Sequence, residues 1–150
     1  MREIIFDTET TGLHPLEGDR VTELGCVEVI NMIPTGREFH ALINPQRDIP
    51  AEVTAITGHT REMLADKPLF ADLAEQFLAF VGDATLVAHN APFDRGFINM
   101  ELSRAGFDEI PASRFKDTAA MARERFPGSP ANLDALCKRF DISLESRTKH

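Results

Sequence analysis

Apolar residues recur at every second position early in this chain and at every third or fourth position later. That change of period limits the fold more than any other feature. Residues 3–7 form a short apolar run ending in an acid, and residues 21–30 alternate roughly between apolar and polar, with Val21, Leu24, Val27 and Val29 apolar. Residues 38–43 read as a third strand, and Pro34-Thr35-Gly36 between them reads as the turn of a three-stranded antiparallel meander. Helical spacing then takes over. Over 68–81, Phe70, Leu73, Phe77, Leu78 and Val81 fall on one stripe, with Pro68 in a first-turn position. Residues 84–88 are a buried strand candidate placed beside the first strand. A helix follows from Pro92 to Ala105, with Phe93, Phe97, Ile98 and Leu102 on one side and Gly106 as its stop. Residues 114–117 make a last short strand. Thr118 to Phe126 reads as helical up to Pro127-Gly128, and Asn132 caps a final helix carrying Leu133, Leu136, Cys137 and Phe140. Strands first and alternating helices and strands afterwards imply an α/β fold: a mixed sheet with helices packed on its faces.

The 150 residues suit one domain with a real core, and no repeat or low-complexity linker divides them. No apolar run approaches the roughly 18 residues of a membrane span. The start shows no signal-peptide pattern, and Cys26 and Cys137 lack CxxC spacing and sit in apolar stretches. These features read as a cytoplasmic protein with reduced, buried thiols and no membrane partner. A net charge of −8 excludes a general basic grip on nucleic acid. It is compatible with solubility alone, and equally with an acidic site that divalent cations fill.

The strongest local signal is Phe6-Asp7-Thr8-Glu9-Thr10-Thr11-Gly12-Leu13. Asp7 and Glu9 stand two apart at the end of a strand, so their carboxylates leave on the same face. Such a pair repels itself unless a cation lies between, and hard divalent ions take oxygen ligands of this kind. A bare acid-x-acid is more often a solvated turn; the whole string reverses that preference. The turn's N–H groups and the Thr10 hydroxyl are suited to the sugar or terminal end of a substrate. The second signal, Leu86-Val87-Ala88-His89-Asn90-Ala91-Pro92-Phe93-Asp94, runs from a buried strand into a helix. Asp94 alone reads as a helix-stabilising first-turn acid, His89 and Asn90 as caps, and Phe93 as core. Their functional reading makes Asp94 a third carboxylate and Phe93 the floor under a terminal nucleotide. His14, His40 and His59 have no ligand-like spacing and read as surface or turn residues.

Together, DTETTG near the start and HNAPFD after a buried strand resemble the first two motifs of the DEDDh 3′→5′ exonuclease family, in particular its proofreading members. Ile56-Thr57-Gly58, Asp66-Lys67-Pro68, Asn132-Leu133-Asp134-Ala135-Leu136-Cys137 and Arg147-Thr148-Lys149-His150 extend the likeness over essentially the whole chain. The resemblance implies a ribonuclease H-like mixed sheet with helices on both faces. It implies two divalent ions, Mg2+ or Mn2+, held by Asp7, Glu9 and Asp94, and His150 as general base, a role that suits a group of pKa about 6.5. The substrate-binding residues it implies are Thr10, Gly12, Leu13, Ile56, Thr57, His89, Asn90 and Phe93. It also implies a single-stranded or frayed DNA 3′ end as substrate, nucleoside 5′-monophosphates as products and a polymerase catalytic subunit as partner. The family's fourth carboxylate follows shortly after the histidine, whereas this chain stops at His150, so residues 1–150 read as an exonuclease domain truncated at its C-terminal end. Two other readings stay open: a 3′ exonuclease of RNA or oligoribonucleotides on the same core, and a non-catalytic polymerase-binding module with an incomplete last motif.

Overall fold

A computed structural model describes residues 1–118. The expected helices after Thr118, Cys137 and His150 lie outside the described residues. Five strands form one sheet in the order β3-β2-β1-β4-β5: β1 Arg2–Thr10, β2 Val21–Ile30, β3 Ile33–Leu42, β4 Thr85–Ala88 and β5 Phe115–Asp117. β1 pairs antiparallel with β2, from Arg2 opposite Ile30 to Thr10 opposite Val21. On its other side β4 runs parallel to β1, Ile5 opposite Val87, and β5 runs parallel to β4. The first strand therefore has the expected neighbour, and the fold is the expected mixed α/β sheet.

Two helices, α3 Phe70–Val81 and α4 Ala91–Arg104, close the core, and their apolar stripes explain their packing. Phe70, Ala74, Phe77 and Val81 of α3 are buried at helical spacing, as are Phe97, Ile98 and Leu102 of α4. They pack with Ile4, Phe6, Leu24, Cys26 and Leu86 of the sheet. Burial also pushes the Cys26 thiol well above its usual range, which keeps it protonated.

Two short helices, α1 Ala51–Thr57 and α2 Arg61–Leu64, were not evident from periodicity. Neither is long enough to repeat a helical pattern, and local chemistry makes them instead. Gly58 ends α1 in the left-handed region at φ 78°, and the Thr60 hydroxyl accepts from Met63 N–H at 3.1 Å to cap α2.

The hairpin turn is displaced from its expected place. It falls at Asn31-Met32, both at positive φ (51° and 70°), as a two-residue hairpin loop requires. Pro34-Thr35-Gly36 lies inside β3, where the register moves from Val29–Pro34 to Val27–Glu38. Gly36, at φ 89°, takes up this bulge, and β3 is an edge strand, where a proline costs no ladder bond. Glu28 fills the bulge, accepting from Thr35 Oγ1 at 2.7 Å and Arg37 at 3.1 Å and pairing with Arg2.

Glu101 sits in the apolar stripe of α4, 2% exposed. It forms a two-pronged pair with Arg20 at 2.8–3.1 Å and accepts the Val21 N–H at 3.0 Å, fastening the start of β2 to α4. Removing one partner of such a pair strands the other. Glu101→Ala is therefore expected to cost about 2–4 kcal/mol, read as a lower Tm in thermal denaturation.

Candidate active site

The C-terminal ends of β1 and β4 lie side by side because the two strands are parallel. The DTETTG turn leaves from one and the HNAPFD turn from the other. Between them and α1 opens a cavity of about 660 Å³. Asp7, Glu9 and Asp94 all line it, as do Thr10, Gly12, Leu13, Ile56, Thr57, His89, Asn90 and Phe93. Every candidate residue within the described part of the chain thus reaches one place.

Asp94 is buried, 4% exposed, and accepts a hydrogen bond from Thr8 Oγ1 at 2.5 Å. Burial pushes its carboxyl up to about 8; the nearby charges of Asp7 and Glu9 add to that shift, and the Thr8 hydrogen bonds oppose it. A cation among the three acids would reverse the sign of this field. Three carboxylates lining one cavity are hard oxygen donors of the kind a divalent ion takes. Among the described residues, no three His, Cys, Asp or Glu side chains are grouped closely enough to hold a metal ion as they stand.

The helix carrying Asp94 starts differently from the sequence reading. Asn90 is left-handed (φ 62°, ψ 56°) and makes no side-chain cap. Its N–H instead donates to Asp117 Oδ1 at 2.9 Å, so the end of β5 sets the turn that aims Phe93 and Asp94. Phe93 is half-buried and packs on Phe97 with ring centroids 5.0 Å apart. Leu13 and Ile56 stand exposed at the rim, an apolar pair suited to a flat aromatic base.

Asp19 escaped the sequence reading, yet it shapes the first turn. It accepts from Thr11 Oγ1 at 2.9 Å and His14 N–H at 3.1 Å, and Arg47 pairs with it at 3.2 Å. A Cβ on Gly12 would lie 2.3 Å from Asp19 Oδ2, so any larger residue there displaces the Asp19 carboxylate from its bonds. The Thr10 hydroxyl, expected to face the substrate, donates to Gly12 O at 2.6 Å, and Thr11 N–H donates to Arg20 O.

The histidines divide. His14 is exposed, as expected. His59 is 4% exposed, with Nε2 lying 3.1 Å from Glu23 Oε1, which corrects its reading as a surface or turn residue. His40 pairs with the other oxygen of the same carboxylate. Burial works against the Glu23 charge, but the bonds from His59 and His40 hold its pKa below the usual range.

The fold and its acid-lined site define an α/β nuclease. The exonuclease family model matches residues 4–150, and the chain belongs to that family. DNA polymerase III subunit epsilon of Rickettsia felis is 51% identical over 153 residues, covering 100% of this chain and 67% of that protein. The subunit of the same name from Escherichia coli (strain K12) is 41% identical over 156 residues, covering 99% and 64%. The chain spans about two thirds of the length of these relatives. Among solved structures, exonuclease X in complex with 5′ overhanging duplex DNA aligns with a TM-score of 0.72 at 30% identity, covering 99% of this chain and 79% of that one. The zinc-bound E. coli exonuclease I–single-stranded DNA complex aligns at TM-score 0.78 and 18% identity, covering 97% and 36%, a likeness of fold alone. The family generally uses divalent metal ions.

Two outcomes are expected. Gly12→Ala must push Asp19 out of the turn, lowering nuclease activity at least tenfold for a stability cost of about 1–3 kcal/mol. In EDTA, Asp94→Asn should raise the Tm, because an amide keeps the Thr8 bond without the repelled charge. A carboxyl raised by folding loses stability as pH climbs from its unfolded value, 3.8, towards about 8. The gain should therefore be small near pH 4 and largest at pH 8; a pH-independent Tm difference would contradict it.

Proposed function

We propose that the protein removes nucleoside 5′-monophosphates from DNA 3′ ends, as the proofreading exonuclease beside a polymerase catalytic subunit in the cytoplasm. Residues 1–150 form the exonuclease domain in this reading. The observation that carries it is the meeting of Asp7 and Glu9 from β1 with Asp94 from α4 in one cavity. Sequence likeness to epsilon subunits along the whole chain supports the polymerase partner.

The chain's own residues divide the work. Asp7, Glu9 and Asp94 hold two divalent ions, magnesium or manganese. When bound, such ions supply Lewis acidity and water of lowered pKa for an in-line displacement at the terminal phosphodiester. Phe93, backed by Phe97, gives the terminal nucleotide an aromatic surface. Leu13 and Ile56 grip the base from the rim, while Gly12, Thr57, His89 and Asn90 line the sugar side. Asp19 keeps the Gly12 turn in shape, and Asp117 keeps the Asn90 turn. His150 takes the proton from the attacking water. A net charge of −8 leaves affinity for DNA to the bound ions and these short-range contacts.

A 3′-end-labelled single-stranded DNA, incubated with the protein and manganese, is expected to shorten stepwise and release 5′-monophosphates. Asp7→Asn, Glu9→Gln and Asp94→Asn should each lower the rate at least a hundredfold. EDTA should abolish it. Wild-type rates in these variants would overturn the assignment, and faster degradation of a matched RNA would move the substrate from DNA to RNA. Phe93→Ala should raise KM for the oligonucleotide by roughly five- to fiftyfold, the loss of one stacking contact.

A further inference from the structure

Glu23 is a buried carboxylate, 6% exposed, that the mechanism above does not use. It lies directly opposite Glu9 across the β1–β2 pair, so the two side chains leave the sheet on the same face. Each of its oxygens lies close to a histidine ring, Oε2 in a hydrogen bond and Oε1 at ion-pair distance. His59 Nε2 is 3.1 Å from Oε1, and His40 Nε2, reaching from β3 over Gly25, meets Oε2. The other ring nitrogen of His59 lies 3.1 Å from Thr22 Oγ1, also on β2.

The backbone of His59 is tied just as fully, but to a different element. Its N–H donates to Thr57 Oγ1 at 3.1 Å, and its carbonyl accepts from Thr54 Oγ1 at 2.6 Å. Both partners belong to α1. His59 thus joins the last turn of α1 through its main chain to β2 through its ring. α1 has seven residues, too few to hold a helix in water by itself. It nevertheless supplies Ile56 and Thr57 to the cavity wall, with Ile56 60% exposed.

We infer that Glu23, gripped between His59 and His40, is a positioning residue that fixes α1, and with it Ile56 and Thr57, at a set distance from Glu9. The inference rests on the exonuclease reading for what that wall contacts, a nucleotide at the DNA 3′ end. Of this opposed pair, Glu9 lines the cavity and Glu23 does not.

The test compares the unmodified protein with His59→Ala, His59→Gln and His40→Ala. Two measurements are made on each: KM and kcat on a single-stranded DNA oligonucleotide in manganese, and hydrogen–deuterium exchange across residues 51–58 and across β1. His59→Ala is expected to raise KM about tenfold, keep kcat within about threefold, and speed exchange in 51–58 while β1 stays protected. His59→Gln, whose amide can still donate to Glu23, should recover most of the KM. His40→Ala, at an exposed site, should move KM and exchange in the same direction by less, and it carries the comparison if His59→Ala does not fold. A loss confined to kcat, exchange that rises equally in β1, or a glutamine that restores nothing would overturn the assignment. Absence of cleavage by the unmodified protein would overturn the nuclease reading instead, and the exchange data would still decide whether Glu23 holds α1.

Discussion

Mutual repulsion of acids confined to a small volume is the constraint around which this structure is organised. Asp7 and Glu9 share a face of β1, and Asp94 is buried against Thr8 at the start of α4, where burial, with their charges adding to it, pushes its carboxyl up to about 8. In water three such groups would separate. The fold prevents this by placing two of them on the central strand of a sheet and the third on the first turn of a buried helix. The dipole of α4, whose first turn carries Asp94, offsets part of the charge. The remainder is an unfavourable field that a cation bound among these acids would relieve.

Holding that arrangement requires polar ties in places where apolar packing would be simpler. Glu101 with Arg20, Glu28 with Arg2 and Arg37, and Glu23 with His40 and His59 each join elements distant in sequence. Hydrophobic contact is non-directional and tolerates sliding, whereas a two-pronged Arg–carboxylate pair fixes register. All three carboxylates sit on β2 or meet its first residues. β2 is therefore the strand against which β1, β3, α1 and α4 are aligned.

Much of this was legible in the sequence where the signal was local and periodic. The stripe Phe70–Phe77–Val81 and the run Thr85–Ala88 have single readings, and the two-residue spacing of Asp7 and Glu9 puts both on one face whatever the tertiary fold. What stayed hidden depended on partners far along the chain. His59 looks like a turn histidine until Glu23 is brought beside it, and nothing local marks Asp19 as the group that a larger residue at position 12 would displace. Asp117 gives no sign in sequence that it will hold Asn90. The hairpin was misplaced for another reason: Pro34-Thr35-Gly36 carries stronger turn chemistry than Asn31-Met32, but an edge strand can absorb it as a bulge. Helices α1 and α2 were too short to show a period.

The parallel pairing of β1 with β4 has a bearing on the life history of the molecule. Parallel neighbours cannot be joined by a tight turn, so everything from Thr11 to Ala84 must be threaded between the two strands before the acid-bearing turns can meet. The slow search for a long-range contact and the assembly of the cutting centre are consequently the same event. On the proposed assignment of these acids, a species that has not brought β4 against β1, whether nascent on the ribosome or transiently opened, has no assembled site for phosphodiester cleavage. A potentially destructive activity is thereby coupled to the completion of folding, with no separate inhibitor required.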